Sequence, residues 1–184
     1  MKCPSCKTDS LEPAFIEKQF RAHSCSTCSG DWILIEDFVY WSERSEVAPP
    51  EQDAAGYLPE DSKNALICPV TGTIMQKYRI SNASDHKLDY SPQVGGVWLD
   101  AGEWQFLKGQ GLASQIGRIF TDSWQSQLRA KDTQATFVSL YERKFGTDDY
   151  RKAQEVRAWL ASSDKKAELR AYLLAEDPYG GSGR

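Results

Sequence analysis

The chain has 184 residues, of which 40% are hydrophobic and 26% are charged, and its formal net charge is −4. This composition is typical of a soluble chain that forms one ordinary domain or two small ones, and it excludes disordered and collagen-like proteins. No apolar run approaches the ~18–20 residues that span a bilayer, and the N-terminus lacks the apolar segment of a secretory signal. We therefore expect a cytoplasmic protein without a membrane partner.

Residues 1–45 contain four of the five cysteines, arranged as two C-x-x-C pairs in the pattern C-x2-C-x18-C-x2-C. This spacing is typical of a zinc ribbon, in which two tight turns, or knuckles, bring four thiolates to the corners of a tetrahedron. We predict that one structural Zn²⁺ per chain binds to Cys3, Cys6, Cys25 and Cys28. Redox chemistry of the C-x-x-C pairs and an iron–sulfur cluster are the alternatives, and His23 could replace one ligand.

A linker is predicted at residues 46–64, which contain three prolines and five acidic residues with little apolar periodicity. A second unit at residues 65–108 then repeats the landmarks of the first. Cys68 corresponds to Cys3, and Trp98 corresponds to Trp32 at an offset that differs by only one position. The chain therefore contains an internal repeat of two ribbon-like units.

The second unit lacks most of the zinc ligands, because the equivalent positions are Cys68, Thr71, Ser91 and Val94. We expect it to be a degenerate, metal-free ribbon in which Cys68 is an ordinary small buried side chain. Between the first knuckle and the tryptophan of each unit, two short strands are expected, the first of them at 14–22 and at 74–82. A short helix is expected to follow, with Asp100 as its N-cap and Glu103 three residues later in capping-box order.

Residues 109–178 are predicted to form a helical domain, and residues 179–184 a flexible tail. From Leu112 to Leu128 an apolar residue recurs every fourth position, which predicts one amphipathic helix. Helical spacing continues to Phe145, where Gly146 is a natural stop. A following helix is expected to bury Tyr150, Ala153, Val156 and Leu160. The predicted fold class is α+β, with two small zinc-ribbon-like β-hairpin units, one zinc-bound and one degenerate, followed by a C-terminal helical region.

The motifs of both units resemble the bacterial zinc-ribbon family named after transcription factor IIB. Its pattern is C-P-x-C, a spacer like the one in this chain, then C-P-x-C-G-G-x-W-L-D-A-G-E-L. The first unit supplies the cysteines and Trp32 but departs from the pattern at Ser29 and after the tryptophan. The second supplies the remainder without the cysteines, as Gly95-Gly96-Val97-Trp98-Leu99-Asp100-Ala101-Gly102-Glu103-Trp104. The resemblance covers residues 1–42 and 66–107, and it implies a zinc-ribbon fold and, by analogy alone, contact with transcription machinery.

These features favour a non-enzymatic adaptor or regulatory protein with an unidentified protein partner. Tyr40 and Trp41 are adjacent and cannot easily face the same core, so one of them is a candidate contact residue. The alternative is a nucleic-acid-binding or transcription-associated protein, for which the candidate residues are Arg143, Lys144, Arg151 and Lys152. Acidic residues interrupt that cluster, whereas binding to phosphate groups needs clustered Lys and Arg side chains. We expect no enzyme, because the chain has two histidines and no motif for nucleotide, serine-hydrolase or metalloprotease chemistry.

Overall fold

Short alternating segments produce strands in both repeated units, and a helix follows the third strand of each. The computed structural model describes residues 1–8, 10–17, 20–44, 59, 62 and 64–180. Among these residues, the strands are β1 (Leu11–Ile16), β2 (Phe20–Cys25), β3 (Asp31–Leu34), β4 (Gln76–Arg79), β5 (Lys87–Ser91) and β6 (Gly96–Leu99). The α-helices are α1 (Ile35–Ser42), α2 (Glu103–Gly109), α3 (Ile116–Ile119), α4 (Asp122–Phe145), α5 (Thr147–Ser162) and α6 (Lys166–Leu174).

The two repeated units share one antiparallel sheet with the strand order β1-β2-β3-β6-β5-β4. The third strands of the two units, β3 and β6, pair at its centre with Trp32 opposite Trp98. Because these tryptophans are also equivalent in the repeat, the pairing relates the units by an approximate two-fold axis. The α+β prediction is confirmed, and the units are joined by a continuous hydrogen-bonded ladder.

Glycine at two equivalent positions allows the tryptophan ring of each unit to lie against the backbone of the other unit. A Cβ atom built on Gly96 would lie 2.1 Å from Cζ2 of Trp32, and one built on Gly30 would lie 2.3 Å from Cζ2 of Trp98. Each indole therefore covers the glycine of the other unit. Both tryptophans are buried.

Side chains alternate between the two faces of the sheet, and each face is covered differently. On one face Ile33, Val97 and Leu99 pack in a cluster that includes residues of α1, α2 and α3. On the other face Trp32 and Trp98 pack among the cysteines. The metal-ligand candidates thus lie on the face opposite the helices.

Three local predictions are wrong. The stretch at 14–22 is not one strand, since β1 ends at Ile16, Glu17 has a φ of 53°, and β2 begins at Phe20. The apolar stripe from Leu112 to Leu128 is not one helix, because the Thr121 hydroxyl accepts the Trp124 N–H and starts α4. At Asp100 the expected capping box is half formed: the Glu103 carboxylate accepts the Asp100 N–H, but Gly102 occupies the N-cap.

The chain divides into two compact units, Met1–Lys131 and Asp132–Arg184. The first contains the sheet and also takes in residues 109–131, which the sequence assigned to the helical domain. In the second, Gly146 ends α4 as predicted, but the expected burial of Tyr150, Ala153, Val156 and Leu160 is wrong, because no described residue after Leu128 is buried. Most of the predicted linker at 46–64 and residues 181–184 of the predicted tail lie outside the described residues.

Candidate metal centre

Two tight turns place the predicted ligands. In the first, the Cys3 N–H donates to the Thr8 carbonyl at 2.7 Å, and the Lys7 N–H donates to the Cys3 carbonyl at 2.8 Å. In the second, the Cys25 N–H donates to the Gly30 carbonyl and the Ser29 N–H to the Cys25 carbonyl. The residue after each second cysteine is left-handed, with a φ of 62° at Lys7 and 56° at Ser29. Both turns are therefore knuckles of the same design.

The four sulfur atoms converge on one point. The Sγ atoms of Cys3 and Cys28 are 3.6 Å apart, those of Cys6 and Cys25 are 4.0 Å apart, and all four lie within 4.8 Å of one another. A tetrahedral ion with metal–sulfur bonds of about 2.3 Å requires sulfur–sulfur edges of about 3.8 Å. A disulfide would require about 2.05 Å. The cysteines are therefore positioned to bind a metal ion.

The electrostatic environment of the cluster is divided. Burial raises the pKa of the Cys3 and Cys28 thiols to about 11. Burial also acts against the Cys25 thiolate, but the Ser10 hydroxyl at 2.9 Å and backbone N–H groups outweigh it and hold the Cys25 pKa at about 6. A bound cation stabilises all four thiolates together, so metal binding is coupled to proton release.

A hydrogen-bond link from the first knuckle to the second unit was not predicted from the sequence. The Ser5 hydroxyl, between the paired cysteines, donates to Asp100 Oδ1 at 3.1 Å. The same oxygen accepts the indole N–H of Trp98 at 2.8 Å. On the other face, Glu17 accepts hydrogen bonds from Trp104 and Lys108 of α2. The metal-ligand candidates of one unit are thereby tied to side chains of the other.

The second ribbon-like unit keeps the hydrogen bonds of the first knuckle but has only one of the four cysteines, Cys68. The Cys68 N–H donates to Thr73 and the Gly72 N–H to Cys68, as at the first knuckle of the metal centre. The Thr71 N–H points at Cys68 Sγ at 3.4 Å, matching the 3.3 Å from the Cys6 N–H to Cys3 Sγ. Cys68 is 1% exposed, which confirms its predicted burial. His23 lies in β2 and is not part of the sulfur cluster.

The adjacent aromatic residues of α1 face opposite ways. Trp41 is 9% exposed and packs on Phe20 with ring centroids 5.1 Å apart. Tyr40 is 63% exposed, and the Arg44 guanidinium lies 3.8 Å above its ring. Of the two candidate contact residues, Tyr40 is the one on the surface. It lines a groove with Phe15, Arg21, Asp37 and Arg44.

The candidate basic residues on the C-terminal helices are exposed, but each contacts a neighbouring group of the chain. Arg151 pairs with Asp148 at 3.1 Å and Lys152 with Asp149 at 3.7 Å. The Arg143 side chain donates to the Ser139 carbonyl, and Lys144 lies 5.5 Å from the ring centroid of Phe145. Acidic neighbours thus pair with Arg151 and Lys152, and nucleic-acid binding stays a prediction.

His86 and Glu103 form a buried pair that the sequence did not predict. His86 Nε2 lies 2.6 Å from Glu103 Oε1, and both side chains are 3% exposed. Burial raises the pKa of Glu103 to about 7, although the hydrogen bond with His86 acts in the opposite direction. The pair fixes the start of α2 to the segment before β5. No sequence signal marked it, because the two residues belong to different elements and share no motif.

Comparison with protein-family models, with curated proteins and with solved structures finds no match to this chain. Among the described helices, none combines the length and apolar character needed to cross a bilayer. The resemblance to the bacterial zinc-ribbon family therefore stays a prediction.

Proposed function

We propose that the chain is a zinc-binding, non-enzymatic adaptor in which a structural Zn²⁺ stabilises a surface for a protein partner. The observation that carries the proposal is the convergence of four cysteine sulfur atoms with near-tetrahedral spacing. Four thiolates are the donor set of structural zinc sites, and they leave no coordination position for substrate or water. The metal therefore serves the fold.

The metal supplies stability where the first unit has little core of its own. Such a short unit buries too little apolar surface to fold without a metal or a partner. Here the second unit is the partner, because β3 pairs with β6 and Ser5 bonds Asp100, and the proposed zinc adds to that support. Zinc at the knuckles thus stabilises the sheet as a whole.

The groove beside Tyr40 supports the choice of a protein partner. Two aromatic side chains, Phe15 and Tyr40, are 64% and 63% exposed there. Arg21 and Arg44 line the same groove with one acidic residue, Asp37. This surface suits a peptide segment that places an apolar side chain on the rings and a carboxylate beside the guanidinium groups.

Metal analysis tests the first part of the proposal. We expect one zinc per chain by native mass spectrometry, and none after Cys6→Ser. Iron with visible absorbance, or no metal in the wild-type chain, would reject the zinc assignment.

Peptide display on the zinc-loaded protein tests the surface. We expect selected peptides to combine carboxylates with an apolar residue and to lose at least tenfold in affinity for Tyr40→Ser. Val39→Ser is the matched control, because Val39 is 41% exposed on the same helix and does not line the groove. Equal losses for both variants would reject the groove as the contact surface.

A further inference from the structure

The C-terminal unit, Asp132–Arg184, presents exposed apolar side chains. No residue between Asp132 and Gly180 is buried. Six aromatic side chains there are exposed by 39–82%: Phe137, Tyr141, Phe145, Trp159, Tyr172 and Tyr179. With about 200 Å² per aromatic side chain, they expose on the order of 600 Å² together. Phe137, Tyr141 and Phe145 on α4 account for about 270 Å² of this area, and Leu140 on the same helix is 45% exposed. Because each partner in a stable interface buries ~800 Å², polar side chains of the paired helices must contribute the remainder.

The aromatic residues of α4 form a regular face. Phe137, Tyr141 and Phe145 recur every fourth residue, with ring centroids 6.3 and 5.7 Å apart. Tyr150 stacks on Tyr141 at 6.0 Å and extends the face to α5. In proteins most helical stability comes from the packing of such an apolar face rather than from intrinsic propensity. A contiguous aromatic face of this kind marks an interaction surface.

We propose that a second copy of this chain covers the α4 face, by antiparallel packing of two α4 helices about Tyr141. The spacing is symmetric about this residue, since Phe137 and Phe145 are each four positions away. In an antiparallel pair, Phe137 of one copy therefore meets Phe145 of the second copy, and Tyr141 meets Tyr141. This is the self-complementary pattern of a two-fold interface.

The charges are compatible with a second copy. Residues 132–180 contain eight Lys and Arg and nine Asp and Glu, so two copies do not repel each other strongly. Lys144 is three residues from Tyr141 and is the charged side chain closest to the centre of the face. The antiparallel register places it beside Val138 of the second copy. Like charges do not meet across the interface. An anionic membrane, by contrast, would gain nothing from a unit with a net charge of −1.

Sedimentation equilibrium of the zinc-loaded full chain at micromolar concentrations tests the proposal. We expect a mass of about 41 kDa, twice the 20.7 kDa of one chain. The double substitution Phe137→Ser/Tyr141→Ser should raise the dimer dissociation constant at least 100-fold. The matched control is Thr136→Ser/Arg143→Ser, at exposed positions on the opposite side of α4, and it should remain dimeric. A monomeric wild-type chain, or an unchanged dissociation constant in the aromatic double variant, would overturn the proposal.

Photocross-linking distinguishes loss of the interface from loss of the dimer through unfolding of the variant. A photoreactive phenylalanine analogue at position 141 should link two copies, whereas the same analogue at position 139 should not. Equal cross-linking at both positions would overturn the register. A chain that stays monomeric while binding uncharged phosphatidylcholine vesicles would identify a lipid surface and also overturn the proposal.

Discussion

Replacing Gly96 by alanine puts a methyl group where the ring of Trp32 already lies. The new Cβ atom would be 2.1 Å from Cζ2 and 2.2 Å from Cη2 of that ring. Trp32 is 2% exposed and packs in one cluster with Trp98 and the metal-ligand candidates, so any shift of the ring disturbs that cluster. Overpacking of a core costs about 1–3 kcal/mol. Because the contact involves ring atoms at the centre of the sheet, we expect about 3 kcal/mol and a fall in Tm of roughly 10 °C.

Gly117→Ala is the matched control for this substitution. A Cβ atom at Gly117 would meet Ile35 Cγ2 at 3.4 Å, which is ordinary contact, and Gly117 lies within α3. The same change should therefore stabilise the protein by about 0.5–1 kcal/mol, because alanine has the higher helix propensity. The two substitutions thus have opposite expected signs.

A double-mutant cycle with Trp32→Phe isolates the contact. The phenyl ring lacks the outer part of the indole, so the alanine methyl group at position 96 then has room. We expect the double variant to be about 2 kcal/mol more stable than the sum of the single effects. Urea unfolding followed by far-UV circular dichroism measures each term. Additive effects, or a Gly96→Ala cost well below the range that overpacking produces, would refute the close approach.

Three further predictions concern the metal ligands, the knuckle turns and the buried pair. Cys28→Ser should abolish binding of the single zinc ion and lower the urea midpoint of the Met1–Lys131 unit, whereas Cys68→Ser should keep one zinc; equal metal content would contradict the assignment. Ser29→Gly should stabilise by about 1 kcal/mol in thermal unfolding, since Ser29 has a φ of 56°, whereas Ser26→Gly should not. Burial raises the pKa of Glu103 from 4.5 to about 7, so the folded protein binds this proton more tightly than the unfolded chain. This stability contribution, up to about 3 kcal/mol, is fully present below pH 4.5 and is lost as the pH rises through 7; between pH 5.5 and 8 the wild-type chain should lose stability relative to Glu103→Gln, and parallel curves would reject the shift.

The sequence predicted the clustering of the four cysteines because the geometry of each knuckle is local. A C-x-x-C turn fixes two sulfur atoms within one short loop, so Cys3, Cys6, Cys25 and Cys28 could be named from spacing alone. The pairing of β3 with β6 joins residues of different units, and strand composition does not specify a partner. One signal was available, because Gly30 and Gly96 each precede a tryptophan by two positions. Equivalent glycines beside equivalent indoles indicate a close approach about a shared axis.

The errors in the helical region have a different cause. Periodicity predicts that a helix has an apolar face, but it does not say what covers that face. For Ile116 and Ile119 the cover is the sheet of the same unit, and both are fully buried. For Phe137 and Tyr141 no described part of the chain supplies the cover. The burial predicted for Tyr150, Ala153, Val156 and Leu160 failed for the same reason, because helical spacing alone does not supply a covering surface.

The second ribbon-like unit, at residues 65–108, allows a direct test of whether its backbone still has the geometry of a metal site. Its positions Cys68, Thr71, Ser91 and Val94 repeat the burial of the four ligands in order, alternating buried and half-buried. The residues after Thr71 and Val94, both glycine, have φ values of 69° and 60°, close to those of Lys7 and Ser29. The backbone hydrogen bonds also match at the knuckle around Cys68, and the site lacks three of its four sulfur atoms.

Installing the missing thiols should therefore create a second metal site without a change of fold. We expect the triple variant Thr71→Cys/Ser91→Cys/Val94→Cys to bind two zinc ions per chain by native mass spectrometry. The double variant Thr71→Cys/Val94→Cys should bind the second ion more weakly, because three thiolates leave one coordination position to water. The triple variant should also unfold at higher urea concentration in zinc, since binding to the folded state alone stabilises it. A single zinc ion in the triple variant would show that the second knuckle pair has lost the convergence of its side chains along with its cysteines.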